Sequence, residues 1–404
     1  MAKIAVLGYG TVGSGVVEVL ATNSESITKR AGDVVEVKSV LDLRDFPGDP
    51  IQDKIVHDID VIINDPEIDV VVEVMGGVEP AFTFVKKALE AGKSVCTSNK
   101  ALVAAHGSEL LAMAKERKLN FMFEASVGGG IPIIRPLNQS LTADEITQIT
   151  GILNGTTNYI LTKMSREGSS YEEVLKEAQA LGYAERNPEA DVEGFDACRK
   201  IAILTSLAFG STVKFEEITT EGITKISTED FAYAEQLGCV VKLLATSKKV
   251  DNKVYAITAP FMIDNTHPLY NVNDVLNGIY INGNVIGDVM FFGAGAGKLP
   301  TASAVVADVV DCVKHKGKNV MTIWSSEKLE LGNTDDMKRD FFVRVKGNDT
   351  SAVKAAFGNV ATITIPGVED EFGFVTGMLT EKEFNEKAED LEVINRIRRD
   401  HTKL

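Results

Sequence analysis

Apolar and polar residues alternate in a regular way along the first third of the chain. Apolar runs predict buried strands at residues 3–10, 35–43, 68–77, 93–100 and 121–130. Apolar residues at helical spacing predict intervening helices at 11–22, 80–92 and 110–120. Strands that alternate with helices indicate a doubly wound parallel sheet, an α/β architecture.

The pattern changes after about residue 132. Helical periodicity and strand-like runs are now grouped: helices are predicted at 154–168, 171–181 and 195–209, and strands at 145–153, 239–250, 253–263, 278–284 and 285–295. From residue 337 the chain is more polar and predicts short strands with two helices. We therefore predict three domains: an α/β domain at 1–132, an α+β domain at 133–325 whose final helix (301–315) packs back on the first, and a small α+β domain at 337–404.

Composition narrows the possible functions. A chain of 404 residues with 44% hydrophobic and 25% charged residues is long enough for more than one core. The net charge of −16 disfavours nucleic acid as a partner. No apolar run is long enough for a membrane helix, and the first run ends in glycines, unlike a signal peptide, so we expect a cytoplasmic protein with no membrane partner. The four cysteines lack a C-x-x-C pair, which indicates buried free thiols.

A glycine motif follows the first predicted strand. Gly8, Gly10 and Gly13 form G-x-G-x-x-G in "GYGTVG", where Thr11 and Val12 open the next helix. Such a turn lets a pyrophosphate approach the backbone at a helix N-terminus, so we predict a Rossmann-type dinucleotide-binding domain. A Gly-rich structural turn is the alternative.

Three further turns of this half carry candidate site residues. After the second strand, Asp42 would suit the ribose 2′-OH of NAD, whereas Arg44 would suit the 2′-phosphate of NADP. Lys100 follows another strand and faces either the ligand crevice or water. Glu124 precedes "SVGGGIP", which could hold an alkali cation, line a substrate pocket or act as a hinge.

The stretch "LGYAERNPEADVEGFDACRK" (181–200) precedes an apolar helix. At 100° per residue, Asp196 and Lys200 lie on the same side as the apolar Ile203 and Leu207. A pair on that side is partly desolvated, so it is either a structural pair or, as we favour, a pair that faces a cleft. The ammonium could exchange a proton with an alcohol or alkoxide, and the carboxylates could bind the α-ammonium of an amino acid.

Six segments in order carry a family resemblance. The 181–200 stretch, "GYGTVG", "TSNKALV", "EASVGGGIPII", "GILNGTTNYIL" and "GAGAGKLPTASAVVADV" resemble the homoserine dehydrogenases over about residues 1–320. That family reduces L-aspartate 4-semialdehyde to L-homoserine with NADPH or NADH, on the branch toward threonine and methionine. The resemblance implies this activity, with NADP slightly favoured, and a homodimer formed through the middle domain.

The resemblance also implies roles for single residues. Lys200 would donate the proton, with Lys100 as the alternative donor beside the cofactor and the substrate carboxylate. The amino-acid part of the substrate would be bound by Glu185, Asp191 and Asp196. Gly182 and Gly297 would lie near the nicotinamide. The family's sodium site would correspond to Glu124 with the carbonyls of Val127, Gly129 and Ile131.

The chain departs from the family pattern at two places. Asn187 stands where many members have Asp, so a hydrogen-bonding group there has lost its charge. The region after 337 is similar to an ACT domain, but "KGNDTSAVKAAFG" replaces the usual Gly-containing ligand loop. This leaves a threonine-responsive domain and a domain that serves folding or assembly as alternatives. Two alternative functions also stay open: a dehydrogenase of similar layout for another amino-acid aldehyde, and a non-catalytic nucleotide sensor.

Overall fold

The computed structural model describes residues Met1–His401 and divides into two compact units. The first unit comprises Met1–Ile146, Ala202–Phe215 and Gly293–Leu329. The second comprises Thr147–Ile201, Glu216–Phe292 and the described residues from Glu330 onward. The C-terminal residues therefore share a unit with the middle of the chain, whereas the sequence predicted a separate domain from residue 337.

The helices and strands of the described residues are as follows. The helices are α1 Thr11–Thr22, α2 Ser24–Ala31, α3 Ile59–Ile63, α4 Ala81–Glu90, α5 Lys100–Glu116, α6 Gly155–Glu167, α7 Tyr171–Ala180, α8 Glu189–Val192, α9 Phe195–Phe209, α10 Thr228–Gln236, α11 Lys298–Lys314, α12 Ser351–Phe357 and α13 Glu381–Lys387. The strands are β1 Ala2–Leu7, β2 Val35–Leu41, β3 Ile55–Val56, β4 Ile68–Glu73, β5 Ser94–Thr97, β6 Phe121–Met122, β7 Ile146–Ile152, β8 Ser211–Thr212, β9 Thr219–Thr220, β10 Cys239–Val250, β11 Lys253–Asp264, β12 Leu276–Gly283, β13 Gly287–Ala294, β14 Ser325–Lys328, β15 Phe341–Lys346, β16 Thr362–Ile363, β17 Glu371–Val375 and β18 Val393–Arg399.

The first unit is built on a parallel sheet with the strand order β3-β2-β1-β4-β5-β6. Its central strands β1 and β4 are buried at five of their six residues each, as expected for strands of a parallel sheet covered on both faces. Ile4 and Val6 of β1 share a core with Val16 of α1 and Val305 of α11. This order places a crevice at the carboxyl ends of β1 and β4, where dinucleotides bind in such folds. The predicted α/β class is confirmed.

The second unit is built on a mixed sheet with the order β13-β12-β7-β10-β11-β18-β15-β17-β16. Strands β10 and β11 form a long antiparallel hairpin, turned by Asp251 and Asn252 at φ +47° and +65°. Such left-handed pairs suit the twist of a two-residue hairpin turn. The predominantly antiparallel sheet that the sequence predicted is present, but it extends much further than expected.

The C-terminal residues extend that sheet instead of forming a separate one. Strand β18 pairs in parallel with β11, Phe261 opposite Arg398, and antiparallel with β15. Along the chain these elements follow one another as β15-α12-β16-β17-α13-β18. Within the sheet the four strands lie in the order β18-β15-β17-β16. The parallel pairing therefore places the C-terminal strands in the same sheet as β11.

Several local predictions need correction. Helix α5 begins at Lys100, ten residues earlier than expected, because the Asn99 side chain accepts the Leu102 N–H and caps it. The strand predicted over 121–130 contains only Phe121–Met122, and a compact loop follows. Helices α2, α3, α8 and α10 were not predicted. The four cysteines are free and buried as expected: Cys96, Cys198, Cys239 and Cys312. Between Met1 and His401, no helix combines the length and apolar character needed to cross a bilayer.

Candidate active site

The glycine turn after β1 has the geometry that a dinucleotide requires. A Cβ added to Gly13 would lie 1.9 Å from the carbonyl oxygen of Gly8, so α1 can pack against the turn only if residue 13 is glycine. A Cβ added to Gly10 would meet no atom within 4 Å, so the chain leaves open space in front of that residue. Thr11 and Val12 form the first turn of α1, whose N–H groups are available to phosphate oxygens.

A crevice of about 560 Å³ lies beside this turn, lined among others by Gly8, Gly10, Asp42, Arg44 and Met75. Its lining combines apolar side chains with the glycine turn, which suits an adenosine and a pyrophosphate. The residues present therefore fit a nicotinamide dinucleotide.

Asp42 and Arg44, the two alternatives for recognition of the ribose, bind each other. The Asp42 carboxylate accepts the Tyr9 N–H (2.8 Å) and the Arg44 backbone N–H and Nε (3.0 Å each). The hydrogen bond from Arg44 holds the pKa of Asp42 well below its usual range. Arg44 itself is mostly exposed, with 64% of its side chain accessible. Asp42 thus ties β2 to the glycine turn, and Arg44 presents its guanidinium at the rim.

Lys100 is the first residue of α5, at a turn supported by a buried glutamate. Glu73, fully buried at the end of β4, accepts the Thr97 hydroxyl (2.6 Å) and the Met75 N–H (2.8 Å). Burial raises the pKa of Glu73. Asn99 donates to the Gly77 carbonyl (2.6 Å). Glu73 and Asn99 therefore connect the turns after β4 and β5 and fix the start of the helix that carries Lys100, which is half-buried. Glu73 was not among the residues predicted from the sequence.

The carboxylate of Glu124 serves the loop that follows it. It accepts the backbone N–H groups of Ile133, Ile134 and Arg135 at 2.6, 2.8 and 2.7 Å, and the residue is 2% exposed. Three backbone N–H groups therefore hold this carboxylate in place against the loop that contains Val127, Gly129 and Ile131. Between Met1 and His401, no group of three or more His, Cys, Asp or Glu side chains is placed to hold a metal.

The glycines of "SVGGGIP" allow this loop to pack closely against a neighbouring backbone segment. A hinge was one of the alternatives predicted for this loop. A Cβ on Gly129 would lie 2.3 Å from the Gly295 carbonyl oxygen, and the Gly130 N–H donates to the Ala294 carbonyl at 3.1 Å. This contact fixes the loop beside Gly297, the N-cap of α11. The glycines let two backbone segments of the first unit touch.

In the second unit, the charged stretch forms a compact polar cluster. Lys200 Nζ lies 2.9 Å from Asp196 Oδ2 and donates to the Leu153 carbonyl at 2.7 Å. The two side chains are only 12% and 6% exposed, so the predicted pairing on the buried side of α9 is confirmed. Such a pair is held in one geometry by its surroundings.

Asn154 completes this cluster and was not predicted. Its Nδ2 donates to Asp191 Oδ1 (2.8 Å) and to Asp196 Oδ2 (2.9 Å), while its Oδ1 accepts the Thr157 N–H and caps α6. The signal was an Asn followed three residues later by Thr at the start of a predicted helix, which indicates a cap but no more. A single amide therefore fixes both carboxylates relative to α6.

The other predicted residues of this stretch lie in exposed turns. Gly182, at φ +75°, ends α7, and Glu185 and Asn187 are exposed between α7 and α8. The structure thus brings together Asp191, Asp196 and Lys200. The predicted cofactor and ion-binding residues other than Gly182, together with Lys100, belong to the first unit.

Comparison with known proteins gives consistent similarities. A family model described as "Homoserine dehydrogenase, NAD binding domain" matches residues 8–124, and one described as "Homoserine dehydrogenase" matches 132–310. The Bacillus subtilis homoserine dehydrogenase is 38% identical over 98% of this chain and 96% of its own length.

Solved structures of homoserine dehydrogenases are also similar to this chain. A homoserine dehydrogenase from Thiobacillus denitrificans superposes with a TM-score of 0.91 at 34% identity, covering 99% of this chain and 98% of that one. A hyperthermophilic archaeal homoserine dehydrogenase mutant in complex with NADPH superposes with a TM-score of 0.66 at 31% identity, covering 77% and 97%.

Proposed function

Because the chain belongs to the homoserine dehydrogenase family, it is an oxidoreductase acting on the CH–OH group of homoserine. We propose that side chains of its second unit bind the substrate and transfer the proton in that reaction. The observation that carries the proposal is the cluster of Asn154, Asp191, Asp196 and Lys200. When bound, the nicotinamide supplies the hydride that reduces L-aspartate 4-semialdehyde, or accepts it from L-homoserine.

Lys200 is the proposed proton donor for aldehyde reduction. Among the described residues, two of its three N–H bonds are accounted for by Leu153 and Asp196, which leaves the third for the substrate oxygen. Proton transfer from a positioned ammonium stabilises the alkoxide that develops as the hydride arrives. In the reverse direction the neutral amine accepts the hydroxyl proton of homoserine. Lys100 is then assigned to the cofactor and the substrate carboxylate.

The carboxylates of the second unit are proposed to bind the amino-acid part of the substrate. Asp191 and Asp196 share the Asn154 amide as donor, so both present oxygens at a fixed separation. A pair of anchored carboxylates suits an α-ammonium group, which offers three donors. Glu185 lies in an exposed turn, where its side chain has room to adjust to a ligand.

NADP is the proposed preferred cofactor. Arg44 occupies the Asp42 carboxylate that would otherwise accept the ribose 2′-OH of NAD. The exposed guanidinium of Arg44 has the geometry to pair with a 2′-phosphate. Gly8, Gly10 and Gly13 would hold the pyrophosphate, as the space in front of Gly10 allows. Gly182 and Gly297 are kept as proposed neighbours of the nicotinamide.

A sodium ion is proposed at the "SVGGGIP" loop, bound by main-chain carbonyls. The carbonyls of Val127, Gly129 and Ile131 are neutral hard oxygens, the ligands that alkali and alkaline-earth cations prefer. Glu124 would contribute its own carbonyl while its carboxylate holds the loop in shape. A site of this kind would order the loop without redox chemistry.

A homodimer and an ACT-like C-terminal region are also proposed. Strand β13 is an edge of the large sheet and exposes Met290 and Phe292 at alternate positions, beside Val285 and Ile286. An exposed apolar edge strand is a site for pairing with a second copy. The βαββαβ order of residues 341–399 supports an ACT-like region, whose pairing with β11 favours a role in folding or assembly.

The proposal is tested by steady-state oxidation of L-homoserine with NAD and NADP in parallel. Lys200→Ala should lower kcat by about a hundredfold or more while NADPH binding stays near the wild-type value. Lys163→Ala is a matched control, because Lys163 also forms an i,i+4 ion pair, with Glu167, on a neighbouring helix. Unchanged turnover in Lys200→Ala would refute the role of Lys200. Dinucleotide binding without any homoserine turnover by the wild type would favour the nucleotide-sensing alternative.

A further inference from the structure

A buried arginine near the C-terminus joins two elements of the second unit. Arg398 of β18 is 1% exposed and binds two carboxylates. Its Nη1 and Nη2 donate to the two oxygens of Glu221 at 2.7 Å each, and its Nε and Nη2 donate to Glu381 at 2.5 and 2.9 Å. Two-point contacts of this kind fix the carboxylate in orientation as well as in distance. The position of Glu221 is therefore set by β18.

The backbone around Glu221 is in turn packed against the segment that leads to Asp196. The Glu221 N–H donates to the Thr258 carbonyl of β11 at 2.8 Å, and the Ile223 N–H donates to the Val192 carbonyl at 2.8 Å. A Cβ on Gly222 would lie 2.3 Å from that Val192 carbonyl oxygen, so the two backbones are in direct contact. Residue 192 follows Asp191 directly and lies four residues before Asp196.

The same segment makes further close contacts with these residues. A Cβ on Gly194 would lie 3.3 Å from methyl groups of Thr220 and Thr258 and 3.4 Å from the Glu221 carbonyl oxygen. The Thr224 hydroxyl donates to Glu193 at 3.1 Å. Residues 192–194 are thus bound to residues 220–224, and these are bound through Glu221 to Arg398.

We propose that Arg398 and Glu221 are positioning residues for homoserine, acting through residues 192–194 on Asp191 and Asp196. This inference rests on the proposed substrate role of those two aspartates. The C-terminal strand then sets the affinity for substrate without touching it. Misplacing a substrate-positioning group by about 1 Å can lower the rate of an enzyme by about a hundredfold.

The chain offers a matched control in Arg344 of β15. This arginine is 4% exposed and also binds two carboxylates, Asp230 at 2.9 Å and Glu371 at 2.8 Å. It holds the start of α10, and its hydrogen bonds go to Ser227, Asp230 and Glu371, none of which is in segment 220–224. Removing either arginine breaks ion pairs with a buried carboxylate, Glu381 for Arg398 and Asp230 for Arg344, so both substitutions should lower stability.

The experiment compares Glu221→Gln and Arg398→Met with Glu371→Gln and Arg344→Met in the full chain. We expect the first pair to raise the KM for homoserine about tenfold, with a smaller change in kcat and an unchanged Kd for NADPH. The control pair should lower Tm but change the KM by less than about twofold. Glu221→Gln is nearly isosteric and Glu221 is partly exposed (42% of its side chain), so this variant should fold even where Arg398→Met does not.

A double variant and two aspartate variants complete the test. If Arg398 acts through Glu221, combining the two substitutions should raise the KM no further than the larger single effect. Equal KM values for Glu221→Gln and Glu371→Gln would overturn the positioning proposal. Asp191→Asn and Asp196→Asn, measured in parallel, should each raise the KM. If neither does, the proposed substrate site is wrong and this inference fails with it.

Discussion

In the first unit the candidate cofactor site is made of backbone, whereas in the second unit the candidate substrate site is made of side chains held by other side chains. The glycine turn depends on open space before Gly10 and on contact between Gly13 and Gly8. The cluster around Lys200 depends on Asn154, which holds Asp191 and Asp196. A backbone site is defined within one strand and one helix, but a side-chain site draws on residues far apart in the chain.

The difference predicts different responses to substitution. A methyl group added to the backbone site either closes the ligand space or displaces the turn. Replacing a supporting residue of the side-chain site, unlike replacing the proposed proton donor Lys200, removes one support and leaves the others in place. Its effects should therefore be smaller, and they should fall on substrate and not on cofactor.

The largest effect is expected in the glycine turn. Gly10→Ala should leave Tm nearly unchanged, because its Cβ meets no protein atom, yet weaken NADPH binding about a hundredfold by filling the pyrophosphate space. Gly13→Ala should lower both Tm and binding, because its Cβ would collide with the Gly8 carbonyl. Thermal unfolding and fluorescence titration of NADPH measure the two effects. Normal binding by Gly10→Ala would show that the pyrophosphate does not approach there.

The next effect is expected at Asn154. Asn154→Ala should raise the KM for homoserine about tenfold and leave the Kd for NADPH unchanged. The reason is that the side chains of Asp191 and Asp196, which are proposed to bind homoserine, both lose a hydrogen-bond donor. Asn154→Asp is the matched variant, since it keeps an acceptor for the Thr157 N–H but lacks the amide donor. If Asn154→Asp restores the wild-type KM, then capping of α6, and not the contact with the carboxylates, explains the effect.

A smaller effect is expected at Arg44, whose side chain lines the cofactor crevice beside the glycine turn. Arg44→Ala should lower kcat/KM with NADP about five- to tenfold and spare the reaction with NAD, because it removes the proposed phosphate ligand and releases Asp42. Arg117→Ala is a suitable control, since Arg117 also pairs with a neighbouring acid, Glu116, in the same unit. Equal losses with both cofactors would contradict the assignment of the 2′-phosphate to Arg44.

The smallest effect on turnover is expected at Lys242, which contacts the helix that Asn154 caps. This lysine is 2% exposed and donates to Asn158 of α6 (3.2 Å) and to the Val272 carbonyl (2.6 Å). Burial, with a smaller contribution from Arg166, lowers its pKa from 10.5 to about 8. Between those pH values the unfolded chain binds the extra proton, so this group makes stability rise with pH, by about 1 kcal/mol from pH 8 to pH 9.

Urea unfolding of the wild type and Lys242→Met at pH 7, 8, 9 and 10 checks this. The variant should lack that part of the rise, and its kcat should change little. A parallel pH dependence in the two proteins would show that Lys242 does not titrate in this range.

Local patterns allowed part of this structure to be predicted. The β1 strand, the glycine turn and α1 are adjacent in sequence, and Asp196 and Lys200 are one helical turn apart. The hydrophobic periodicity of the sequence was therefore enough to predict them. Asn154 was missed because its partners lie 37 and 42 residues away, a separation that only the fold closes. The long sheet was missed for the same reason, since nothing in residues 253–264 indicates that β18 will lie beside them.

The position of β18 also has a consequence for how the chain folds during synthesis. Strand β11 cannot complete its pairing until residue 399 has left the ribosome, because Phe261 and Met262 lie opposite Arg398 and Arg399. Until then only the Phe261–Met262 end of β11 is an open sheet edge, because β9 already pairs with Ile257 and Thr258, and an open edge exposes a nascent chain to wrong pairing and aggregation. Slow closure of such distant contacts is expected to limit the refolding rate. The second unit should therefore be the part of the chain that depends most on chaperones.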